Sequence, residues 1–400
     1  MKLVQFGAGS IGRSFIGQLF SRGGWEVVFI DIDDRVIDAL NRRREYRVEI
    51  KDKTCEAVTV KNVRGVSARD EESVAAEVSG ADLVSTAVGK GALPHIMKHI
   101  AGGLIRRKEG SEGPLDIIIC ENMRDAAGFF RRSLESLLPP GFPLDEYAGF
   151  VETSIGKMVP IMDEELRSRD PLLVYAEAYN TLIVDGKGFR NFIPAVEGID
   201  AQDNIKAYVD RKLFIHNLGH AVLSYVSFAF RPDYRFVWQA AEDTGIEEIT
   251  RRSMWESGKG LIGEYPADFD SESIGEHIED LLSRFKNRAL GDTVYRAGRD
   301  LYRKLAPDDR LLGAAFLCLK HSVDPKAISL GVGSALFFKA VDNGGALFER
   351  DRVFHEREMS RGPSHVLRSI CGLQEGGLFS GIMEYYRRIE GGERKLSGFK

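Results

Sequence analysis

The stretch KLFIHNLGHA, which begins at Lys212, brings a lysine, an asparagine and two histidines close together along the chain. On a helix turning about 100° per residue, Lys212, His216 and His220 fall within about 80° of one another, and Asn217 lies about 60° beyond His220. The axial distance from Lys212 to His220 is about 12 Å, enough to hold a small extended molecule. These residue types suit the oxidation of an alcohol. A lysine can remove the hydroxyl proton if burial lowers its pKa toward neutrality. Asparagine N–H groups can hold a developing alkoxide, and a histidine can hold the same oxygen or orient the substrate. None of this requires a metal. His216 and His220 stand four apart, but no glutamate completes an HExxH pattern and no cysteine is near. A plainer reading stays open: such spacing also makes an ordinary polar helix face, and His216, beside Ile215, can be a packed core histidine. His95 and His99 repeat the spacing and read as solvated or core residues.

The elements that would position this chemistry start at the N-terminus. LVQF (3–6) is a strand-like run, GAGSIG (7–12) a glycine turn, and Ile11, Phe15 and Leu19 then recur at helical spacing. Ser10 reads as the helix cap and Gly23-Gly24 as its stop. A second strand-like run, VVFI (27–30), ends at Asp31. Gly7 allows a tight turn, Gly9 lets the backbone approach a pyrophosphate, and Gly12 lets helix and strand pack closely. Ala8, Ser10 and Ile11 complete the turn whose N–H groups meet the phosphates. Asp31, about 20 residues after the glycines, can accept from both ribose hydroxyls and repels a 2′-phosphate, which favours NAD over NADP. A structural turn, or an S-adenosylmethionine site, would use similar residues.

Strand-like and helix-like segments keep alternating: a helix over 34–43, a strand over 81–89 ending in a glycine turn, a helix over 94–105, and the buried strand LDIIIC (115–120) leading into a helix that ends near Leu138. Apolar runs without alternation suit parallel strands covered on both faces, and ligands bind beyond their carboxyl ends. Val88-Gly89 and Glu121-Asn122 then share one rim with the GAGSIG turn, although Asn122 also reads as a helix cap. KEGSEGP (108–114) is a loop inside this domain, and strand signals recur over 147–155 and 172–185. From about 195 the segments become long and helical, over 203–230, 235–258, 271–287, 292–304, 308–321 and 325–341, with Asp203 as a cap for the first. The expected fold class is therefore α/β, an N-terminal doubly wound Rossmann domain (1–194) followed by a mostly α-helical domain (195–400). The last segment, EGGERKLSGFK, reads as a loosely held end.

Bulk properties narrow the function classes. The 400 residues are 43% hydrophobic and 29% charged, with a net charge of −5 and no basic stripe with interleaved aromatics, which argues against nucleic acid. No apolar run reaches the length of a membrane helix, and MKLVQFGAGS does not read as a signal peptide. Cys55, Cys120, Cys318 and Cys371 are scattered without a CxxC pair, so reduced thiols in a cytoplasm are expected.

The spacing Lys-x4-Asn-x2-His, met as Lys212, Asn217 and His220, resembles the signature of the polyol-specific long-chain dehydrogenases, the mannitol dehydrogenase family. FGAGSIGRSFIG, VIDALNRRREYRV, DLVSTAVG, CENM, RKLFIHNLGHA and LYRKLAPDDRLLG resemble the same family in the same order along most of the chain. The resemblance implies a Rossmann domain and a helical domain with the active site in a cleft. It also implies monomers and metal-independent hydride transfer between NAD and a small polyol or polyol phosphate, with D-mannitol 1-phosphate and fructose 6-phosphate as the leading pair. Lys212 would be the general base, Asn217 and Asn122 would polarise the carbonyl or stabilise the alkoxide, and His220 would bind the reacting oxygen. Two departures bear on the substrate. IGKMVP places Gly156 and Lys157 where the family has an aspartate and an arginine, and Leu182 stands where it has a tryptophan. Lys157, Arg303, Lys304 and Arg310 are candidate phosphate ligands. Another polyol, polyol phosphate or hexuronate, or an NAD-binding sensor without turnover, are the alternatives; a Rossmann methyltransferase fits the helical second half less well.

Overall fold

The computed structural model of the chain describes residues 1–52, 56–160, 162, 164–393 and 395–399; Cys55 lies outside them. Two compact units divide the chain, Met1–Val209 and Asp210–Lys400.

The first unit is built on strands β1 (Lys2–Phe6), β2 (Glu26–Asp31), β3 (Glu45–Ile50), β4 (Glu56–Lys61), β5 (Val63–Ser67), β6 (Leu83–Thr86), β7 (Leu115–Ile119), β8 (Ala148–Ser154), β9 (Val174–Ala176), β10 (Leu182–Asp185) and β11 (Ile199–Gln202). Eight form one sheet in the order β11-β10-β8-β7-β6-β1-β2-β5. All its pairs are parallel except β8 with β10. The central strands are covered on both faces: Leu3 and Ile118 join one core cluster, while Val4, Phe6, Ile117 and Ile119 join another. That two-sided burial is why LDIII carries no alternation of polar and apolar residues. Register aligns the carboxyl ends, with Phe6 opposite Ile30 and Thr86, and Thr86 opposite Ile119.

The run 172–185, a single strand-like stretch in sequence, divides. β10 joins the large sheet, whereas β9 joins β3 and β4 in a separate three-stranded sheet, pairing Val48 with Val174. The helix Asp34–Arg43 has the expected bounds because Asp33 caps it, accepting from Arg35 N, and Arg44 ends it at φ 58°.

The second unit is helical. The expected segment 235–258 is two helices, Val237–Glu242 and Thr244–Glu264, because Asp243 caps the second, accepting from Gly245 N and Ile246 N. The segment 292–304 likewise breaks between Val294–Gly298 and Leu301–Lys304, where Asp300 takes φ 76°. Helices Glu349–Arg357, Pro363–Ser369 and Gly377–Glu390 follow. The C-terminal segment is held more firmly than its composition suggests: Leu396 is buried, and Arg388 Nη2 donates to Gly398 O at 2.6 Å. A continuous helical run, Ile205–Phe230, is long and apolar enough to cross a membrane by composition, a length the apolar-run reading did not credit it with. Its most apolar window is 78% buried inside the protein, so core packing accounts for that composition. The run starts at Ile205, one position later than a cap at Asp203 would set it.

Candidate functional site

In the first unit the ends of β1, β6 and β7 meet the glycine turn. Gly7 has φ +91°, and a Cβ there would lie 2.4 Å from Ala87 O. A Cβ at Gly12 would lie 2.0 Å from Gly7 O. Both glycines are therefore required by packing. At Gly9 a Cβ would meet no protein atom within 4 Å, so packing does not require glycine there, and close approach of a ligand would.

The helical run begins at Ser10, so Gly9 rather than Ser10 is the flanking residue, and Arg13 N donates to Gly9 O at 3.0 Å. Ile11 packs against the core. Buried Ala8 is clamped from both sides: its N–H donates to Asp31 Oδ2 at 2.7 Å, and its carbonyl accepts from Arg13 Nε at 2.6 Å. Asp31 Oδ1 accepts from Asp33 N at 3.0 Å. Each Asp31 oxygen thus carries one backbone bond and keeps a lone pair for another donor. Gly12–Gly17 is a π turn. The hydroxyl of Tyr46, from β3, donates to Arg13 O within it at 2.7 Å.

Val88 is positioned by Glu121, whose carboxylate accepts from Val88 N and Gly89 N, each at 2.9 Å. Burial pushes the Glu121 carboxyl up while those two N–H groups oppose the shift. Asn122 is exposed, next along the chain. The helix after it begins at Ala126 with Asp125 at the flanking position, so Asn122 is not its cap. Of the two sequence departures, Leu182 is buried in β10, and Lys157 is buried with its Nζ donating to Asn180 Oδ1, two residues before Leu182, at 2.9 Å and lying 5.0 Å from the Phe15 ring centroid.

In the second unit, Lys212–Asn217 is also a π turn, inside the long helical run. This alters the face calculated from a uniform α-helix. A π turn bonds residues five apart, so Asn217 swings back from the edge of the arc to the face of Lys212. Lys212 and Asn217 are half-buried and His216 is buried. Burial lowers the Lys212 amine to about 8, helped by the positive charges of Arg310 and Arg303 and opposed by Asp309. His216 rests against Phe285 at 5.9 Å, and burial holds it neutral, with Arg284, His220, Lys212 and His277 adding to the effect. His220 stacks on the same ring at 5.3 Å and 19°. Its Nε2 lies 2.9 Å from Asp292 Oδ2, close but not aligned as a hydrogen bond.

Arg303, Lys304 and Arg310 share the electrostatic surroundings of Lys212. Lys304 is buried, and its Nζ donates to Ala297 O. Arg310 is only 7% exposed; its Nε bonds Asp309 Oδ1 at 2.7 Å, and among the described residues its terminal nitrogens bond nothing further. Sequence reading missed Arg13, Glu121's clamp and Asp292. Glu121 was legible from its place in CENM; Arg13 and Asp292 carry no local signal.

A parallel sheet whose first strand ends in this glycine turn and whose second ends in an acid fits a class of protein, the dinucleotide-dependent oxidoreductases of Rossmann type, and the family match selects that class. The chain matches the mannitol dehydrogenase Rossmann domain over residues 1–198 and the mannitol dehydrogenase C-terminal domain over 204–366, and it belongs to the mannitol dehydrogenase family. It is 34% identical over 340 residues to the mannitol-1-phosphate 5-dehydrogenase of Brevibacillus brevis, covering 84% of this chain and 86% of that protein. Its fold is that of a D-sorbitol dehydrogenase (TM-score 0.82, 16% identity, 99% and 94% of the two chains). It is also that of the Pseudomonas fluorescens mannitol 2-dehydrogenase (TM-score 0.72, 15% identity, 100% and 93%).

Proposed function

We propose that this chain is an NAD-dependent, metal-independent dehydrogenase interconverting a hexitol phosphate and a ketose phosphate, D-mannitol 1-phosphate and fructose 6-phosphate, with Lys212 as general base. The observation that carries the reading is the π turn Lys212–Asn217, which holds the lysine and the asparagine one π-helical bond apart, with burial lowering the amine toward neutrality. A base poised near neutrality takes the hydroxyl proton efficiently.

The first unit fits the cofactor. The turn Gly7, Ala8, Gly9, Ser10, Ile11 and Gly12 would hold the pyrophosphate from its Gly9–Ile11 side, since Gly7 N and Ala8 N already donate to Ile30 O and Asp31 Oδ2, and the cradle at Gly9 is one a Cβ would fill. Asp31 would hold the ribose, and Val88 would line the same rim. The chemistry a bound NAD would supply there is acceptance of hydride from the carbinol carbon. Lys212 Nζ receives the hydroxyl proton, and the amides of Asn217 and Asn122 donate to the oxygen as it gains charge. His220 orients the substrate. Arg310, with its terminal nitrogens unbonded beside Lys212, supports a phosphate on the substrate, supplemented by Arg303. The 34% identical relative, itself named for mannitol 1-phosphate, supports the same class.

A second reading, a related polyol or hexuronate, is favoured at Lys157, a point charge bonded to Asn180 where the resemblance implies an arginine fork, with Gly156 removing the carboxylate beside it. The test is NADH oxidation followed at 340 nm with fructose 6-phosphate, fructose and a panel of uronates, for wild type and Lys212→Ala. Turnover of fructose 6-phosphate, lost by about 10²-fold to 10⁴-fold in Lys212→Ala, is the expected result. Activity only on an unphosphorylated ketose or a uronate moves the second reading ahead. NADH binding without turnover of any substrate makes the chain a sensor.

A further inference from the structure

His220 has two ring nitrogens in different surroundings. Nε2 faces inward, sealed from solvent, 2.9 Å from Asp292 Oδ2. Nδ1 is neither sealed in nor bonded to any described residue. Phe285 covers one ring face at 5.3 Å and fixes the plane of the imidazole, and turning the ring over within that plane would carry Nε2 away from Asp292. Asp292 is 6% exposed and fixed on its other side, where Arg296 Nε donates to Oδ1 at 2.6 Å. Its backbone carbonyl accepts from Val237 N at 2.9 Å. A buried carboxylate beside a ring nitrogen can only be met by a proton on that nitrogen.

We propose that Asp292 is the positioning residue for His220: it holds the Nε2–H tautomer and so presents Nδ1 as a hydrogen-bond acceptor on the accessible side. The consequence concerns what His220 recognises. An acceptor cannot bind a ketone oxygen, which has no proton to give. It binds a hydroxyl, and a sugar or polyol carries hydroxyls on the carbons flanking the reacting one. The oxygen that reacts is then left to Lys212 and the amides, and His220 reads a neighbouring hydroxyl. Arg296 contributes by keeping Asp292 ionised. The other groups facing His220 are Lys304 and His216, whose charged forms burial disfavours, and Asp292 is the acid that opposes them at the imidazole.

This inference rests on His220 being part of the substrate site, and the test separates the two ideas. Two-bond ¹H–¹⁵N spectra of the full chain labelled at histidine, with His220 assigned by comparison with His220→Asn, read the tautomer without any turnover. The expected result is Nε2–H in wild type and a shift toward Nδ1–H in Asp292→Asn, whose amide can donate to Nε2. In kinetics, Asp292→Asn is expected to lower kcat/KM for the ketose by at least tenfold while KM for NADH stays unchanged. Arg296→Gln, at a half-buried residue, is expected to change the spectrum the same way to a smaller degree, and serves if Asp292→Asn does not fold. A wild-type Nδ1–H signal, or an Asp292→Asn protein with unaltered tautomer and kcat/KM, overturns the proposal. If His220→Asn keeps full activity while the spectra behave as expected, the role of His220 in the substrate site fails and the tautomer assignment stands.

Discussion

At the scale of single residues, Lys212 determines how the reaction depends on pH. Burial and the charges of Arg310 and Arg303 bring its amine to about 8. Only the neutral amine accepts the hydroxyl proton, so kcat/KM for alcohol oxidation should rise through about pH 8 and then level off. The reverse direction needs the ammonium to donate, so ketose reduction should fall across the same interval. His216 and His220 titrate below their ordinary range and stay out of this window. Rates measured in both directions between about pH 7 and about pH 9 check this, and two flat profiles would remove Lys212 as the base. Asp31 makes a second residue-scale prediction. Its carboxylate both ties Ala8 to the end of β2 and repels a 2′-phosphate. Asp31→Asn should therefore raise KM for NAD by about tenfold, the cost of weakening charge-assisted bonds, while NADP begins to be used. Unchanged NADP exclusion would show that some other group discriminates.

At the scale of elements, the three glycines of the first turn separate folding from binding. Gly12→Ala puts a Cβ 2.0 Å from the Gly7 carbonyl, which is backbone and cannot give way cheaply. A loss of about 1–3 kcal/mol of stability is expected, along with weaker cofactor binding. Gly9→Ala meets no protein atom, so its stability should stay within about 0.5 kcal/mol of wild type while NAD binding drops. Thermal melts beside NADH titrations by fluorescence check the pair; equal melting losses would mean Gly9 is structural too. The elements legible in the sequence were those with a strong local pattern: β1, β2, β6 and β7, the glycine turn, and the helix Asp34–Arg43. β9 was not, because its partner β3 lies far away in the chain and a three-residue strand leaves little pattern. The π turns were invisible for a different reason. The sequence gives residue types at fixed spacing, but only tertiary packing decides whether a turn holds four residues or five. The Lys-x4-Asn spacing makes sense on a π turn, whereas α geometry puts the two residues about 140° apart. Asp292 could not be paired with His220 from sequence, because helix packing and not chain proximity brings them together.

At the scale of the whole molecule, net charge and site charge have opposite signs. The chain carries −5 overall, yet Lys212, Arg303, Lys304 and Arg310 influence one another within the helical unit, and the first and third are driven toward their neutral forms partly by the two arginines. A local field of this kind outweighs a diffuse net charge for a ligand already at the site. Salt screens it, with a Debye length of about 10 Å at 0.1 M. A phosphorylated substrate should therefore lose kcat/KM as ionic strength rises, despite the like overall sign of protein and ligand, and an unphosphorylated ketose should be nearly indifferent. Arg310→Gln sharpens the comparison. The guanidinium is held by Asp309 through Nε, and its terminal nitrogens bond no described residue, so the substitution should raise KM for fructose 6-phosphate by about tenfold or more and leave KM for the unphosphorylated substrate unchanged. The salt dependence should flatten in the same variant. A flat salt response in wild type, or an Arg310→Gln enzyme that loses both substrates equally, would take the phosphate away from this cluster and leave Lys157, in the first unit, as the remaining cation of those proposed.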